Sequence, residues 1–358
     1  MNGLKYLSLP ALIKVVKVND LSKYTKEISE LFSSTDNILL ICHVNPDGDA
    51  VGAQLAMYYY LKAAGKKVNM LSPNYLQEFL KWMHGTDEIS IFIKDRKKGI
   101  DLIKEAGLIL LLDFNKPNRL GEAEEFVMSA SAPKVVIDHH LDPSDFGSLI
   151  ISEPSFCATS ELVWELIREL DGKPFTGIPF AEAVYTGIIT DTGNFEHGTY
   201  RPDTLRIVAE LLEQGVEKDR ILNLIYNNFS ADRMKLQGFA LNERMVVLPE
   251  YKTAYIYLSK EDLKRFNHVK GDTEGFVNMP LSIKGIVFTA MFIEKEGFIK
   301  LSFRSKGKFP SNEIAADYFY GGGHRNASGG EYPDTLTNTI GYFLNVLKEN
   351  AWRFNGSF

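Results

Sequence analysis

The sequence has little cysteine, no long apolar run at its start and no excess of positive charge. Its 358 residues include two cysteines, Cys42 and Cys157, which are too few for a disulfide framework or a thiolate zinc site and are typical of a reducing cytoplasm. Residues 1–28 contain apolar side chains but no uninterrupted apolar stretch, so we expect neither a signal peptide nor a membrane span. These absences predict a cytoplasmic protein without a membrane partner.

The charge balance is slightly acidic. Forty Lys and Arg residues against 46 Asp and Glu residues give a formal charge of −6 and an isoelectric point near 5.7. Such a chain is poorly suited to coat long nucleic acids, although a local pocket can still bind a small anion. Hydrophobic residues make up 45% and charged residues 24%, which excludes a disordered chain, and the length predicts two domains.

The first part of the chain alternates between strand and helix patterns. Apolar runs predict strands at 38–44, 108–114 and 134–140, and a further strand is predicted at 66–72. Helical spacing of apolar residues predicts helices at 21–36, 50–65, 158–170, 180–193 and 202–215. This alternation predicts an α/β domain over residues 20–215, with a mostly parallel sheet flanked by helices.

The pattern changes in the last third of the chain. Residues 216–245 mix apolar and charged residues without proline, which predicts a helical connector. Residues 253–259, 285–294 and 298–305 are rich in β-branched and aromatic residues, and the last two segments predict a hairpin that turns at Lys295–Gly297. We therefore expect a smaller C-terminal α+β domain over residues 246–358.

Acidic and histidine residues gather at the predicted ends of elements in the first domain. They form four separate groups, namely His43-Val-Asn-Pro-Asp47-Gly-Asp49, Asp113, Asp138-His139-His140 and Asp191. Ligands of an open α/β sheet bind beyond the carboxyl ends of its strands, so these groups can converge there. Several like charges in one site raise one another's pKa, and divalent cations relieve that repulsion. Oxygen and imidazole ligands without thiolate favour Mn²⁺ or Mg²⁺ over a structural zinc ion.

Each group taken alone has a simpler explanation. Asp113 after an apolar strand is typical of a helix cap or turn, and the Asp-Gly-Asp sequence is typical of a turn. The adjacent imidazoles of His139 and His140 beside a carboxylate are harder to explain by packing. The joint occurrence of the groups is what favours a metal site.

The predicted second domain carries a different signal. Gly321, Gly322 and Gly323 precede His324, so the backbone there can approach a ligand closely and expose N–H groups to an anion. A flexible turn is the alternative interpretation of such a run. Arg304-Ser305 at a predicted strand end favours anion binding, because a guanidinium group binds phosphate through two hydrogen bonds.

These motifs together resemble the DHH phosphoesterase superfamily, in particular its branch of nano-RNases and pAp phosphatases. The resemblance covers roughly residues 20–345 and rests on motifs that occur in the family's order. They are HVNPDGDAVG (43–52), LLLDFN (110–115), VVIDHH (135–140), GIITDTGNF (187–195), TEGFVN (273–278), FRSKG (303–307) and GGGHRNASGG (321–330).

The resemblance implies a site with two divalent metal ions. It implies that one ion is held by His43, Asp47 and Asp113, and the other by Asp49, Asp113, His139 and Asp191. Asp113 would bridge the two ions. Asp138 would orient a histidine, as the imidazole ligands of metals require. His140 would face the substrate phosphate, so His140, Asp113 and Asp138 are the residues expected to act in catalysis.

The same resemblance implies a function. The expected substrates are RNA oligonucleotides of about two to five nucleotides, degraded to mononucleotides, and 3′-phosphoadenosine 5′-phosphate (pAp), converted to AMP. Hydrolysis would proceed by two-metal activation of a bridging water, with Mn²⁺ as the expected ion and Mg²⁺ or Co²⁺ as alternatives. The second domain would bind the far end of the substrate through Arg304, Ser305, Gly321, Gly322, Gly323 and His324.

Two alternatives stay open at this point. Within the same chemistry, the substrate would be the linear dinucleotide pApA of the cyclic-di-AMP pathway. In a different class, the chain would be an inactive nucleotide-binding sensor on the same scaffold. The sequence also leaves open a homodimer.

Overall fold

The structure, a computed structural model, describes residues 20–196 and 201–351. Predictions for residues 1–19 and for 352–358 at the end of the expected second domain lie outside this part of the chain. Within it, the strands form two six-stranded sheets. No helix among the described residues is both long and apolar enough to cross a bilayer. The cytoplasmic location stays a prediction.

The first sheet is entirely parallel. Its strands lie in the order β3-β2-β1-β4-β5-β6, and every neighbouring pair runs in the same direction. The strands are β1 Asn37–Ile41, β2 Lys67–Ser72, β3 Ile89–Ile91, β4 Leu108–Leu112, β5 Lys134–Asp138 and β6 Leu149–Ser152. The predicted parallel α/β sheet is thus confirmed, with β3 and β6 as two short strands that the apolar pattern did not predict.

Helices cover both faces of this sheet. Side chains alternate along a strand, so Ile38 and Leu40 of β1 pack into one core while Leu39 and Ile41 pack into another. The helices are α1 Ser22–Ser34, α2 Gly48–Ala63, α3 Arg96–Glu105, α4 Glu124–Ser129, α5 Thr159–Asp171, α6 Ile178–Asp191 and α7 Pro202–Glu213. Burial on both faces explains the continuous apolar runs 38–41, 108–112 and 135–137 in β1, β4 and β5.

Helices α2 and α6 pack against each other with little space between their backbones. A Cβ atom added to Gly52 of α2 would lie 2.5 Å from the carbonyl oxygen of Ala183 in α6. A Cβ atom added to Gly187 of α6 would lie 2.6 Å from Oδ1 of Asp49 in α2. The two glycines therefore let both helices carry acidic residues to one place.

The second sheet follows two helices and is mixed. Helices α8 Lys218–Tyr226 and α9 Ala231–Glu243 lie within residues 216–245, whose role as a connector between domains stays a prediction. The sheet order is β11-β12-β10-β9-β8-β7, with β8 and β9 parallel and the other neighbours antiparallel. The elements are β7 Met245–Leu248, β8 Thr253–Leu258, α10 Lys260–Arg265, β9 Phe288–Glu294, β10 Ile299–Ser305, α11 Ser311–Tyr318, β11 Gly322–His324, β12 Ala327–Tyr332 and α12 Leu336–Glu349. The predicted hairpin is the antiparallel pair β9–β10.

Candidate metal centre

Three neighbouring strands of the first sheet end in polar residues at the same edge. Strands β1, β4 and β5 are adjacent, and His43, Asp113 and His139 follow their last residues closely. Asp49 lies in the first turn of α2, and Asp191 is the last residue of α6. The fold therefore brings together the four groups that are far apart in the sequence.

His43, Asp47 and Asp113 form one cluster of ligand atoms that all lie within 4.8 Å of one another. Nε2 of His43 is 3.9 Å from Oδ2 of Asp47 and 3.4 Å from Oδ2 of Asp113. The other oxygen of Asp47 caps α2, because Oδ1 accepts the backbone N–H groups of Asp49 and Ala50 at 3.0 and 3.1 Å. The start of α2 thus holds the Asp47 carboxylate toward His43.

Asp49, His139 and Asp191 form a second cluster within the same limit. Nε2 of His139 is 3.1 Å from Oδ2 of Asp191 and 3.9 Å from Oδ2 of Asp49. Asp113 lies between the two clusters, since its Oδ1 is 3.7 Å from Nε2 of His139 while its Oδ2 faces His43. One carboxylate therefore offers an oxygen to each cluster.

Backbone carbonyl groups determine the tautomers of the two histidines. Nδ1 of His43 is 2.8 Å from the carbonyl oxygen of Val44, and Nδ1 of His139 is 3.1 Å from that of Phe156. A carbonyl oxygen only accepts hydrogen bonds, so each Nδ1 carries the proton and donates it. In the neutral imidazoles, Nε2 then presents its lone pair to the carboxylates, which is the form that binds a metal ion.

The backbone at Asp113 is unusual. Its φ is 69°, a left-handed conformation that Asp tolerates better than most residues, and its N–H group donates to the carbonyl of Ile137 at 3.0 Å. Burial alone would raise the pKa of Asp113, but the hydrogen bond with His43 and the nearby charges of His140 and His139 outweigh it and lower the pKa. The carboxylate is therefore kept ionised.

Asp49 has the opposite electrostatic environment. It is fully buried, and burial together with the charges of Asp113 and Asp191 raises its pKa well above the ordinary value. Burial lowers the pKa of His139, but the hydrogen bond and charge of Asp191 outweigh that effect and raise it. The carboxylates of Asp49, Asp113 and Asp191 therefore repel one another. Divalent cations would relieve that repulsion, and the oxygen and nitrogen donors suit them.

Asp138 and His140 are joined directly. Nδ1 of His140 lies 2.7 Å from Oδ1 of Asp138, and the backbone N–H group of His140 donates to Oδ2 at 3.1 Å. Burial lowers the pKa of His140, but the hydrogen bond to Asp138 and the charge of Asp113 outweigh that effect and raise it. His140 also lies near Asp113 and His139, since its Nδ1 is 3.7 Å from Oδ1 of Asp113 and the three residues form a further group of possible ligands.

Arg304 and Ser305 lie at the end of β10, as predicted, but their side chains differ in burial. Arg304 is half-buried and donates from Nη1 to the carbonyl of Phe303 at 2.9 Å. Burial lowers the pKa of Arg304, and the charge of Glu274 opposes this shift. Ser305 is buried, and its hydroxyl donates to the carbonyl of Phe309 at 2.7 Å and accepts from Asn326. Direct contact of Ser305 with a substrate stays a prediction.

The glycine run forms an ordered edge strand. Residues Gly322–His324 are β11, which pairs with β12, so the flexible-turn alternative does not describe these residues. A Cβ atom on Gly321 would lie 1.9 Å from the carbonyl oxygen of Gly329, and Gly323 has a φ of 135°. Both positions therefore require glycine, whereas no described atom lies within 4 Å of such a Cβ on Gly322. The predicted contact of the His324 side chain lies outside what the structure describes.

Residues 156–160, which were not predicted to lie near the site, contact three of the proposed ligands, namely Asp49, Asp113 and His139. The backbone N–H groups of Thr159 and Ser160 donate to the two oxygens of Asp49 at 2.5 and 2.8 Å. The hydroxyl of Thr159 donates to Oδ1 of Asp113 at 2.8 Å. In the sequence these residues indicated only a helix start, and no chemical signal marked them as neighbours of a metal site.

Comparison with known proteins places this geometry in a family. Residues 37–188 match the DHH family N-terminal domain, and residues 251–352 match the DHHA1 domain. The bifunctional oligoribonuclease and PAP phosphatase NrnA of Thermus thermophilus is 30% identical over 84% of this chain and 86% of its own length. The protein of the same name from Bacillus subtilis is 28% identical over 85% of this chain and 91% of its own length.

A solved structure shows the same architecture. The exopolyphosphatase-related protein from Bacteroides fragilis superposes with a TM-score of 0.91 at 39% identity, covering 96% of this chain and all of that one. The chain therefore belongs to the DHH family of phosphoesterases. Within that family, its curated relatives include the bifunctional oligoribonucleases and PAP phosphatases.

Proposed function

We propose that this protein hydrolyses short RNA oligonucleotides to mononucleotides and pAp to AMP, using two divalent cations. The observation that carries the proposal is the position of Asp113, whose two oxygens face two separate ligand clusters. A carboxylate shared by two cation sites is the arrangement that phosphoester hydrolysis uses. The relatives named as oligoribonucleases and PAP phosphatases support this substrate class.

The chain's own residues would hold the two cations as follows. His43, Asp47 and Asp113 hold the first, and Asp49, Asp113, His139 and Asp191 hold the second. When bound, the cations would supply Lewis acidity toward the phosphate oxygens and would lower the pKa of a bound water molecule. Mn²⁺ is the proposed ion, because the set combines carboxylates with two imidazoles.

His140 and Asp138 would act on the phosphate side of the site. Asp138 holds the proton on Nδ1 of His140, which leaves Nε2 as the nitrogen that faces the substrate in this proposal. The carboxylate also stabilises the charged imidazole, which favours a donated hydrogen bond to an equatorial phosphate oxygen. Asp138 is thus a positioning residue, and His140 is the residue that contacts substrate.

The second sheet would bind the far end of the substrate. Arg304 is paired with Ala327 in the β10–β12 ladder, next to the turn between β11 and β12. The planar guanidinium would bind a terminal phosphate through two hydrogen bonds, and the exposed edge strand β11 would add backbone N–H donors. The hydroxyl of Ser305 supports this turn through Asn326.

The distance between two such sites would limit the length of the substrate. The net charge of −6 disfavours long strands, which need a broad cationic surface. We therefore propose short oligonucleotides and small nucleotides as the partners. The homodimer left open by the sequence stays a prediction.

The test is a comparison of initial rates after removal of bound metal with a chelator. The substrates are an RNA dinucleotide, a five-mer, pAp, pApA, polyphosphate and a long single strand, each with Mn²⁺, Mg²⁺ or Co²⁺. We expect Mn²⁺-dependent release of mononucleotides from the short RNAs and of AMP from pAp, with much slower loss of the long strand. Turnover of pApA or polyphosphate alone would assign a different substrate, and no turnover at all would favour the nucleotide sensor.

A further inference from the structure

Glu161 is a fully buried carboxylate that lies outside both ligand clusters. It belongs to the first turn of α5, and its side chain is 0% exposed. A charged group in such a position is destabilising unless hydrogen bonds and an opposite charge compensate for it. The contacts of Glu161 therefore indicate its role in the structure.

Both oxygens of Glu161 accept hydrogen bonds. Oε2 accepts the backbone N–H group of Cys157 at 2.9 Å. Oε1 accepts Nη2 of Arg201 at 2.9 Å and the hydroxyl of Thr204 at 2.7 Å. Glu161 thus joins the turn before α5 to the first turn of α7.

That turn carries the groups that hold three metal ligands. The carbonyl of Phe156 accepts from Nδ1 of His139, and the N–H groups of Thr159 and Ser160 donate to Asp49. The hydroxyl of Thr159 also donates to Asp113. Residues 156–160, which we call the ligand-support segment, therefore determine where one imidazole and two carboxylates lie.

Glu161 holds the ligand-support segment at two points. One is the direct bond to Cys157. The other is indirect, because the guanidinium of Arg201, which Glu161 binds, lies 3.9 Å above the ring of Phe156. This cation–π contact holds Phe156 in place, and the carbonyl of Phe156 orients His139.

We propose that Glu161 is a positioning residue of the metal centre, acting through the ligand-support segment and through Arg201. The proposal rests on the two cation sites of the proposed function. The proposed role of Glu161 differs from that of the ligands because Glu161 belongs to neither ligand cluster. Its loss displaces His139, Asp49 and Asp113 slightly, so it weakens metal binding without removing a ligand.

The experiment measures Mn²⁺ binding to metal-free protein by titration calorimetry, which requires no substrate. In Glu161→Gln, the side-chain volume hardly changes, but the new amide nitrogen replaces an oxygen that accepts hydrogen bonds. It then faces the N–H group of Cys157 or the guanidinium of Arg201, so at least one of the three bonds is lost. We expect a Kd for Mn²⁺ at least about tenfold weaker than in the wild type. Activity lost at low Mn²⁺ should return toward the wild-type value at saturating Mn²⁺, which a general loss of folding would not allow.

Glu182→Gln is the matched control. Glu182 is also a buried glutamate of the first domain that pairs with an arginine, Arg220, and among the described residues no hydrogen bond is found between it and the ligand-support segment. Both variants should lower thermal stability, and only Glu161→Gln should weaken Mn²⁺ binding. Unchanged Mn²⁺ affinity in Glu161→Gln, or an equal loss in Glu182→Gln, would overturn the proposal.

A milder variant keeps the test decisive if Glu161→Gln does not fold. Thr204→Val removes one hydrogen bond to Glu161 and leaves the carboxylate in place. We expect a smaller loss of Mn²⁺ affinity, and no loss at all would count against Glu161. If Mn²⁺ does not bind even the wild-type protein, the proposed function itself is refuted, which is a separate outcome.

Discussion

Lys270 of the DHHA1 domain donates a hydrogen bond from Nζ to Oδ1 of Asn45 in the DHH domain, at 3.0 Å and across 225 residues of the chain. Asn45 lies in the turn between His43 and Asp47. Its Oδ1 also accepts a hydrogen bond from Nδ2 of Asn74, and its backbone N–H group donates to Oδ1 of Asn74. A cationic residue of the second domain thus touches the turn that carries two predicted metal ligands.

Removal of this link should affect substrate binding more than chemistry. Lys270→Met should leave kcat nearly unchanged and raise KM by up to about fivefold, since an exposed polar contact contributes up to about 1 kcal/mol. The reason is that substrate binding must then bring the two domains together without this bond. Steady-state kinetics and small-angle scattering of the free protein measure both effects.

Lys284→Met is the control for that prediction. Lys284 is an exposed lysine of the same domain, and no side-chain hydrogen bond to it is found among the described residues. Equal KM values for the Lys270 and Lys284 variants would show that the bond to Asn45 has no part in substrate binding.

Asp113→Asn should abolish turnover while the backbone stays in place. Asn tolerates the left-handed φ of 69° as Asp does, whereas Ala would add strain. Loss of the charge shared by both clusters should lower kcat/KM by at least about 100-fold, because bound cations stabilise the transition state by several kcal/mol. Circular dichroism checks the fold and steady-state kinetics check the rate.

Asp142→Asn makes the same chemical change at a comparable backbone position. Asp142 has a φ of 57° and is exposed, and it belongs to neither ligand cluster. This variant should keep wild-type activity. A small effect of Asp113→Asn, comparable with that of Asp142→Asn, would contradict a shared carboxylate.

Gly52→Ala should destabilise the protein. The added Cβ would lie 2.5 Å from the carbonyl oxygen of Ala183, so α2 and α6 must move apart, at a cost of about 1–3 kcal/mol in the free energy of unfolding. Gly238→Ala in the exposed part of α9 meets nothing within 4 Å and should stabilise by about 0.5–1 kcal/mol. Urea unfolding measures the change in the free energy of unfolding of both variants. No change in Gly52→Ala would show that the helices tolerate a wider spacing.

The ion pair between Arg244 and Asp262 should make stability depend on pH. Nε and Nη2 of Arg244 donate to the two carboxylate oxygens at 2.9 and 3.0 Å. Burial raises the pKa of Asp262, but the bonds from Arg244 and Ser259 outweigh it and lower the pKa. A lowered carboxyl pKa contributes stability above the ordinary value of about 4, and that stability is lost as the pH falls through the lowered pKa.

Asp262→Asn should therefore lower the free energy of unfolding by about 2 kcal/mol at neutral pH, with a difference that shrinks in acid. Unfolding by urea across a pH series measures this trend. Glu261→Gln, at an exposed neighbouring position, should change stability by less than about 0.5 kcal/mol. A difference between wild type and Asp262→Asn that stays constant with pH would contradict the role of the charge.

Much of the architecture could be predicted because its signals are local. Strand β4 is apolar throughout, and β1 and β5 contain the apolar runs 38–41 and 135–137, since both faces are covered. The order of strands and helices implies a parallel sheet. The short strands β3, β6 and β11 could not be predicted in this way. Each pairs only at a sheet edge, and β11 consists of glycines and one histidine, so neighbours rather than propensity determine its conformation.

The sequence by itself determined which residues to propose as metal ligands. Carboxylates and imidazoles that follow apolar strands are set by residue type and position, so His43, Asp113 and His139 could be named in advance. Only the tertiary structure decided that Asp113 turns one oxygen to each cluster, that residues 156–160 support the ligands, and that Lys270 reaches Asn45. These relationships join residues far apart in the chain, and packing determines them through distances that no local pattern encodes.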